Sequence, residues 1–171
     1  MNLKKIKILA VIGIFILSFL SHFAYEIFPN IIFSFIFPVN ESIWEHMKIL
    51  FTSTLLKKYN IKHNNFPFQL YFTSLIGIPI YLVIYLPLYN LLGESPFISI
   101  SLLLIVYIIT QIVSYNILKE KELKILNLIT IPVILLSYLG FIYLTYNPPH
   151  TYIFYDITED KYSINDYIKL E

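Results

Sequence analysis

Histidine and carboxylate residues recur in this sequence at spacings suited to ligating a metal or moving a proton. His22 and Glu26 stand at i and i+4, so on a helix they share a face, with Ser18 one turn away on the same side. Glu41, Glu45, His46 and Lys48 crowd into residues 41–48, and a third group follows at His150, closing NPPH, and Asp156. Carboxylates beside imidazoles serve general acid–base catalysis. The same residue types are the ligands of divalent cations such as Zn or Mn. His22, Glu26, His46, His150 and Asp156 are therefore candidate metal ligands; Glu45 and Glu41 are candidate catalytic carboxylates, Glu45 as the base. The spacing is not that of HExxH or another compact zinc motif. With no Cys in the chain, thiolate nucleophiles, Cys metal sites and disulfides are excluded.

The elements that must position these residues are membrane helices. Of 171 residues, 57% are hydrophobic and 13% charged, far from the roughly one-quarter charged composition of a soluble domain. Four apolar runs are long enough to cross a bilayer: about 6–28, 66–89, 97–118 and 125–146. The first, behind Lys4, Lys5 and Lys7, reaches about 34 Å as a helix and has no clean cleavage site, so it reads as an uncleaved anchor. Pro79, Pro87 and Pro132 are expected to kink their helices.

Residues 40–58 are less apolar. Pro38 stops the chain before them, Asn40 or Ser42 can cap a helix, and Glu45 three residues after Ser42 completes a capping box. At 100° per residue Glu41, Ser42, Glu45, His46, Lys48, Thr52 and Ser53 share one arc, opposite Ile43, Trp44, Met47, Leu50, Phe51 and Leu55. Such an amphipathic helix either lies flat at the interface or crosses with its polar face toward partners. The Lys distribution favours crossing. Lys4, Lys5, Lys7, Lys57, Lys58, Lys62, Lys119, Lys121 and Lys124 then share one side, nine of twelve, whereas a flat helix splits the Lys residues 5 to 7.

The expected fold is thus an all-α integral membrane protein of the cell membrane. It is a bundle of five transmembrane helices, the second short and amphipathic, with the N-terminus inside. The end of the apolar lead-in, around 35–39, dips into the outer leaflet. Residues 1–146 form the helical domain, and 147–171 an extracellular tail in which Tyr152–Ile157 and Tyr162–Asp166 make a hairpin round residues 158–161.

On this topology His22, Glu26, Glu41, Glu45, His46, His150 and Asp156 converge on the outer leaflet. Three readings stay open: a capped charge network in which Lys48 neutralises Glu45, a divalent metal centre, and a proton or ion path. The leading functional expectation is a metal-assisted or acid–base enzyme acting on a lipid-like or envelope substrate. The alternatives are a small transporter or ion pathway, and a structural or assembly partner of another membrane protein. Tyr81, Tyr85 and Tyr89, at i, i+4 and i+8, read as belt and packing residues; Gln111 and Ser114 read as interhelical hydrogen-bonding groups. A net charge of +1 without a basic cluster excludes nucleic acid, leaving the lipid bilayer as the evident partner. No internal repeat suggests an inverted-repeat transporter.

PVNESIWEHMK at 38–48, HFAYE at 22–26 and NPPHTYIFYD at 147–156 resemble an uncharacterised family of small prokaryotic multi-pass membrane proteins carrying a domain of unknown function. That family's tail continues with a Pro and a Thr-Gly turn, from which residues 157–161 depart. The resemblance implies a fold and a location and no reaction.

Overall fold

Proline and asparagine punctuate the chain and set where its helices begin. The computed structural model describes residues 3–56, 65–93 and 95–165. It holds six α-helices: α1 Leu3–Ile27, α2 Ile31–Ile36, α3 Ile43–Leu55, α4 Phe66–Leu92, α5 Pro96–Lys119 and α6 Lys124–Tyr146, followed by a 3-10 turn at Tyr152–Phe154. Pro sits in the first turn of α4 and of α5, where its missing N–H costs nothing. Asn30 caps α2 by accepting from the N–H groups of Ile32 and Phe33, and Ser42 caps α3 by accepting from the N–H of Glu45. Four helices, α1 from Lys7 onward, α4, α5 and α6, are long and apolar enough to cross a membrane. Pro79 and Pro87 lie inside α4 and Pro132 inside α6, and both helices continue through them.

The helices form a closed ring around α3. α1 packs on α5, α5 on α4, α4 on α6, α6 on α2, and α2 returns to α1. α3 lies inside, against α1 and α4, with polar side chains reaching α2 and α6. Residues 47–54 of α3 are all buried, whereas Ile12 and Ile16 of α1, Ile105 and Ile112 of α5, and Leu128 and Leu135 of α6 face outward and exposed. The outer surface is therefore apolar and much of the interior polar, as a lipid environment demands. Gly77 lets α4 approach α3 closely: a Cβ there would run into the Leu50 side chain, with Thr110 of α5 at 3.5 Å behind it.

The two ends of the ring differ. One carries the described Lys residues of the helix termini. Lys7 of α1 donates to Ser114 of α5 there, and Asn65 clasps the loop between α5 and α6. The Asn65 Nδ2 donates to the carbonyls of Ile117, Glu120 and Lys121 at 3.0–3.1 Å, and its Oδ1 accepts from the Leu123 N–H at 2.8 Å. Lys57, Lys58 and Lys62 fall outside the described residues. The other end carries His22, residues 28–42 and the tail.

Two expectations are corrected here. The apolar lead-in is a helix in its own right, α2. It descends beside α3, so that Ser34 is level with Lys48 and Ile36 with Thr52, and the chain then rises until Val39 is level with Glu45. The tail hairpin is not built of strands. Tyr152–Phe154 is a 3-10 turn, and a single antiparallel bridge, Asp156 to Lys161, closes residues 157–160. Asp156 explains the difference: its Oδ1 accepts from the N–H and hydroxyl of Thr158 and the N–H of Glu159, folding the chain locally before a ladder can extend. Tyr162 and Ser163 are a bend, and Asp166 lies outside the described residues.

Candidate metal centre and its cavity

The segment NESIWEHMK does two jobs on two faces. On the α2/α6 side it satisfies broken backbone. Breaking the chain at residues 37–42 orphans carbonyl and N–H groups inside the bundle. Lys48 donates to the Ser34 carbonyl at 2.9 Å, Thr52 to that of Ile36 at 3.0 Å, and Glu45 Oε2 accepts from the Val39 N–H at 3.0 Å. Lys48 and Glu45 pair at 2.6 Å, both side chains essentially unexposed. Thr145 of α6 closes the circuit, accepting from Lys48 and donating to Glu45 Oε1, each at 2.8 Å. All three ammonium protons are used and the charges cancel. Glu45 is therefore fully committed, and the role of catalytic base does not fit it. The capping box is also half made: Ser42 caps Glu45, but the Glu45 carboxylate goes to Val39 and Lys48, and Asn40 Oδ1 accepts from the Ser42 N–H instead.

On the α1 side the segment presents Glu41 and His46. Glu41 Oε2 lies 3.6 Å from His22 Nε2 and 3.4 Å from His46 Nε2. One ligand atom from each of the three residues falls within 4.8 Å of the others, the single such group among the described residues. The two rings meet edge to face at 5.3 Å. His46 Nδ1 faces the Ser42 carbonyl at 2.8 Å. A carbonyl only accepts, so Nδ1 carries a proton, and Nε2 is the nitrogen left to face Glu41 and to ligate an ion. Around a tetrahedral ion with bonds of 2.0–2.1 Å, neighbouring ligand atoms sit about 3.4 Å apart. The His–Glu separations match that edge.

The other sequence candidates are placed elsewhere. Glu26 is exposed on α1 and is not in the group. His150 is exposed and stacks on Tyr162 at 4.5 Å. Asp156 is buried, and its carboxylate is spent on backbone: Oδ2 accepts from the Glu41 N–H at 3.0 Å while Oδ1 holds the tail turn. Asp156 thus positions Glu41, a coupling between tail and helix that no sequence spacing reveals.

The group opens on a cavity of about 300 Å³ walled by α1, α3, α4, α5 and the tail. The tyrosines assigned to packing line it. Tyr81, Tyr85 and Tyr89 stack down α4 at 5.1 and 5.8 Å between ring centres, and Tyr152 of the tail continues the series at 6.4 Å. Trp44, between Phe141 and Phe154, fastens the tail over this end. Tyr155 also reaches the cavity; the Asp160 carboxylate that accepts its hydroxyl raises its pKa above the usual phenol value. The i, i+4, i+8 spacing of the tyrosines was visible in sequence, but nothing there told which way the stripe faces. Gln111 and Ser114 are both buried in the bundle, and Ser114 is bonded across helices by Lys7, as expected of it.

No curated protein and no solved structure matches the chain significantly. The pattern of one family extends over residues 1–164, taking in His22, the 38–48 segment and NPPHTYIFYD alike, and the chain belongs to that family of unknown function, DUF6512.

Proposed function

We propose that the chain is a multi-pass protein of the cell membrane that binds a divalent metal at His22, Glu41 and His46 and uses it in a metal-assisted, hydrolytic type of reaction at the outer leaflet. One observation carries this reading: an imidazole of α1 and a carboxylate and imidazole of the 41–46 segment converge on the mouth of a cavity, both His–Glu separations being close to a tetrahedral edge, with His46 Nδ1 turned to a carbonyl so that Nε2 is free to ligate. Three protein ligands leave one position of a Zn-type ion open to the cavity, where water or a substrate carbonyl would sit. Glu41 serves as ligand, and the proton-handling group is sought among the cavity tyrosines rather than at Glu45. A transporter has less support: the buried Glu45–Lys48 pair is closed on itself and offers no exchangeable partner.

The experiment is elemental analysis of protein purified in mild detergent. Stoichiometric Zn or Mn is expected, with at least a tenfold loss in Glu41→Ala and His46→Ala and no loss in His150→Ala. Ligation needs neutral imidazoles, so acidification should release the metal. A metal-free wild type whose melting temperature does not rise on adding Zn or Mn would overturn the reading.

The same proposal includes five spans, at about 6–28, 40–58, 66–89, 97–118 and 125–146, with the N-terminus inside and residues 147–171 outside. α3 makes the second crossing, and α2 is a re-entrant helix that descends beside it and turns back. Reporters fused after Lys62 and after Lys124 should read cytoplasmic, and one after His150 external; a cytoplasmic tail defeats the five-span topology.

A further inference from the structure

The cavity beside His22, Glu41 and His46 is open sideways. α1 buries no residue beyond Ser21 and α5 none before Leu102, so the last six residues of α1 and the first six of α5 contribute nothing to the buried interior. Phe19 and Phe23 from α1 and Ile100 from α5 line the cavity at this end and are 40–48% exposed, and beside them Leu20 and Phe97, which do not line it, are 64% and 80% exposed on the outer surface. Residues that are at once cavity wall and apolar outer surface mark a passage between the interior and whatever solvates that surface. For a ring of apolar helices that solvent is acyl chain.

The walls also restrict what enters. Among the described residues lining the cavity there is no Lys, and the ionisable side chains are Glu41, the two His and tyrosines. Away from the His22–Glu41–His46 group, an anionic headgroup would meet the electron-rich faces of the tyrosine rings without a basic side chain to pair with. Tyrosine faces and hydroxyls suit an uncharged, hydrogen-bonding head. A volume of about 300 Å³ lies at the small end of ligand pockets, enough for one chain and its head.

We propose that the cavity takes a neutral single-chain amphiphile, of the class of a monoacyl ester of a polyol, which enters from the bilayer between α1 and α5 and lays its ester carbonyl against the His22–Glu41–His46 group. The substrate assignment rests on the metal-assisted reading above; the binding assignment does not need it.

The test is photolabelling of the purified full chain with a monoacylglycerol carrying a diazirine in its chain, beside a lysophosphatidate of equal chain length, with and without chelator. Labels from the neutral probe are expected on residues 18–23 and 99–103. Yield should fall at least fivefold in Leu103→Trp, which fills the cavity, and in Ile100→Trp, which narrows the gap at an exposed position and leaves the packed core untouched. Metal content should be unchanged in both variants. Labels spread evenly over the outward faces of α5 and α6, or yields unaffected by both Trp variants, would overturn the cavity assignment. Equal labelling by the lysophosphatidate would overturn the neutral head. Cavity labelling in a protein that holds no metal keeps this assignment and removes the metal; bound metal without cavity labelling does the reverse.

Discussion

Lys48→Met should destabilise the protein by about 3–5 kcal/mol, the cost of leaving one member of a buried ion pair without its partner. The side chain is fully buried, and its three donors go to Glu45, Thr145 and the Ser34 carbonyl. Removing it strands a carboxylate inside an apolar bundle and orphans the last turn of α2 together. Glu45→Leu should cost a similar amount for the complementary reason. Combining the two removes both charges, so the double variant is expected to lose less than the sum of the singles. What loses its partners is then the Ser34 carbonyl, the Val39 N–H and the Thr145 hydroxyl, about 1–3 kcal/mol each. Unfolding in micelles, followed as a double-mutant cycle, measures the coupling directly. Additive single costs would show that the pair is not a unit.

A second large effect is expected far from any histidine. Asn65 is fully buried and supplies donors for three carbonyls and an acceptor for one N–H of the loop between α5 and α6. Asn65→Ala should cost about 3 kcal/mol, less than the sum over four orphaned groups because water reaches the exposed loop residues Glu120 and Lys121. Asn65→Asp is near in shape but places a carboxylate against three carbonyl oxygens, so it should be no better tolerated. Thermal unfolding decides, and a change within 0.5 kcal/mol for Asn65→Ala would mean that the clasp contributes nothing.

The sequence made the long helices legible because hydropathy depends on composition alone: α1, α4, α5 and α6 fall within three residues of the runs read from it. α2 was hidden because six residues are too few for a period to register. The polar arc of α3 was read correctly as an arc, but its meaning depended on what packs against it. Thr52 and Lys48 answer carbonyls of α2, an element that the sequence did not disclose. Glu45 looked catalytic for the same reason, since a carboxylate that serves a backbone N–H six residues earlier has the same one-letter code as a base. Glu41, His22 and His46 were named among the candidates, but so were Glu26, His150 and Asp156. Separating the two sets required the rotation of α1 about its axis and the fold of the tail, both fixed by contacts distant in sequence.

The position of α3 has a consequence for how the protein is made. A segment of 13 residues carrying a glutamate and a lysine is a poor candidate for leaving a translocon by itself, since each charged residue at the middle of a span opposes insertion by about 2.5–3.5 kcal/mol. The hydroxyl that bridges its ion pair, Thr145, and its α4 neighbour are both synthesised after it. The most buried helix of the finished protein is thus the one whose place exists only once the ribosome has passed α6. On the five-span topology proposed above, its integration would therefore be the final act of biogenesis, not the second.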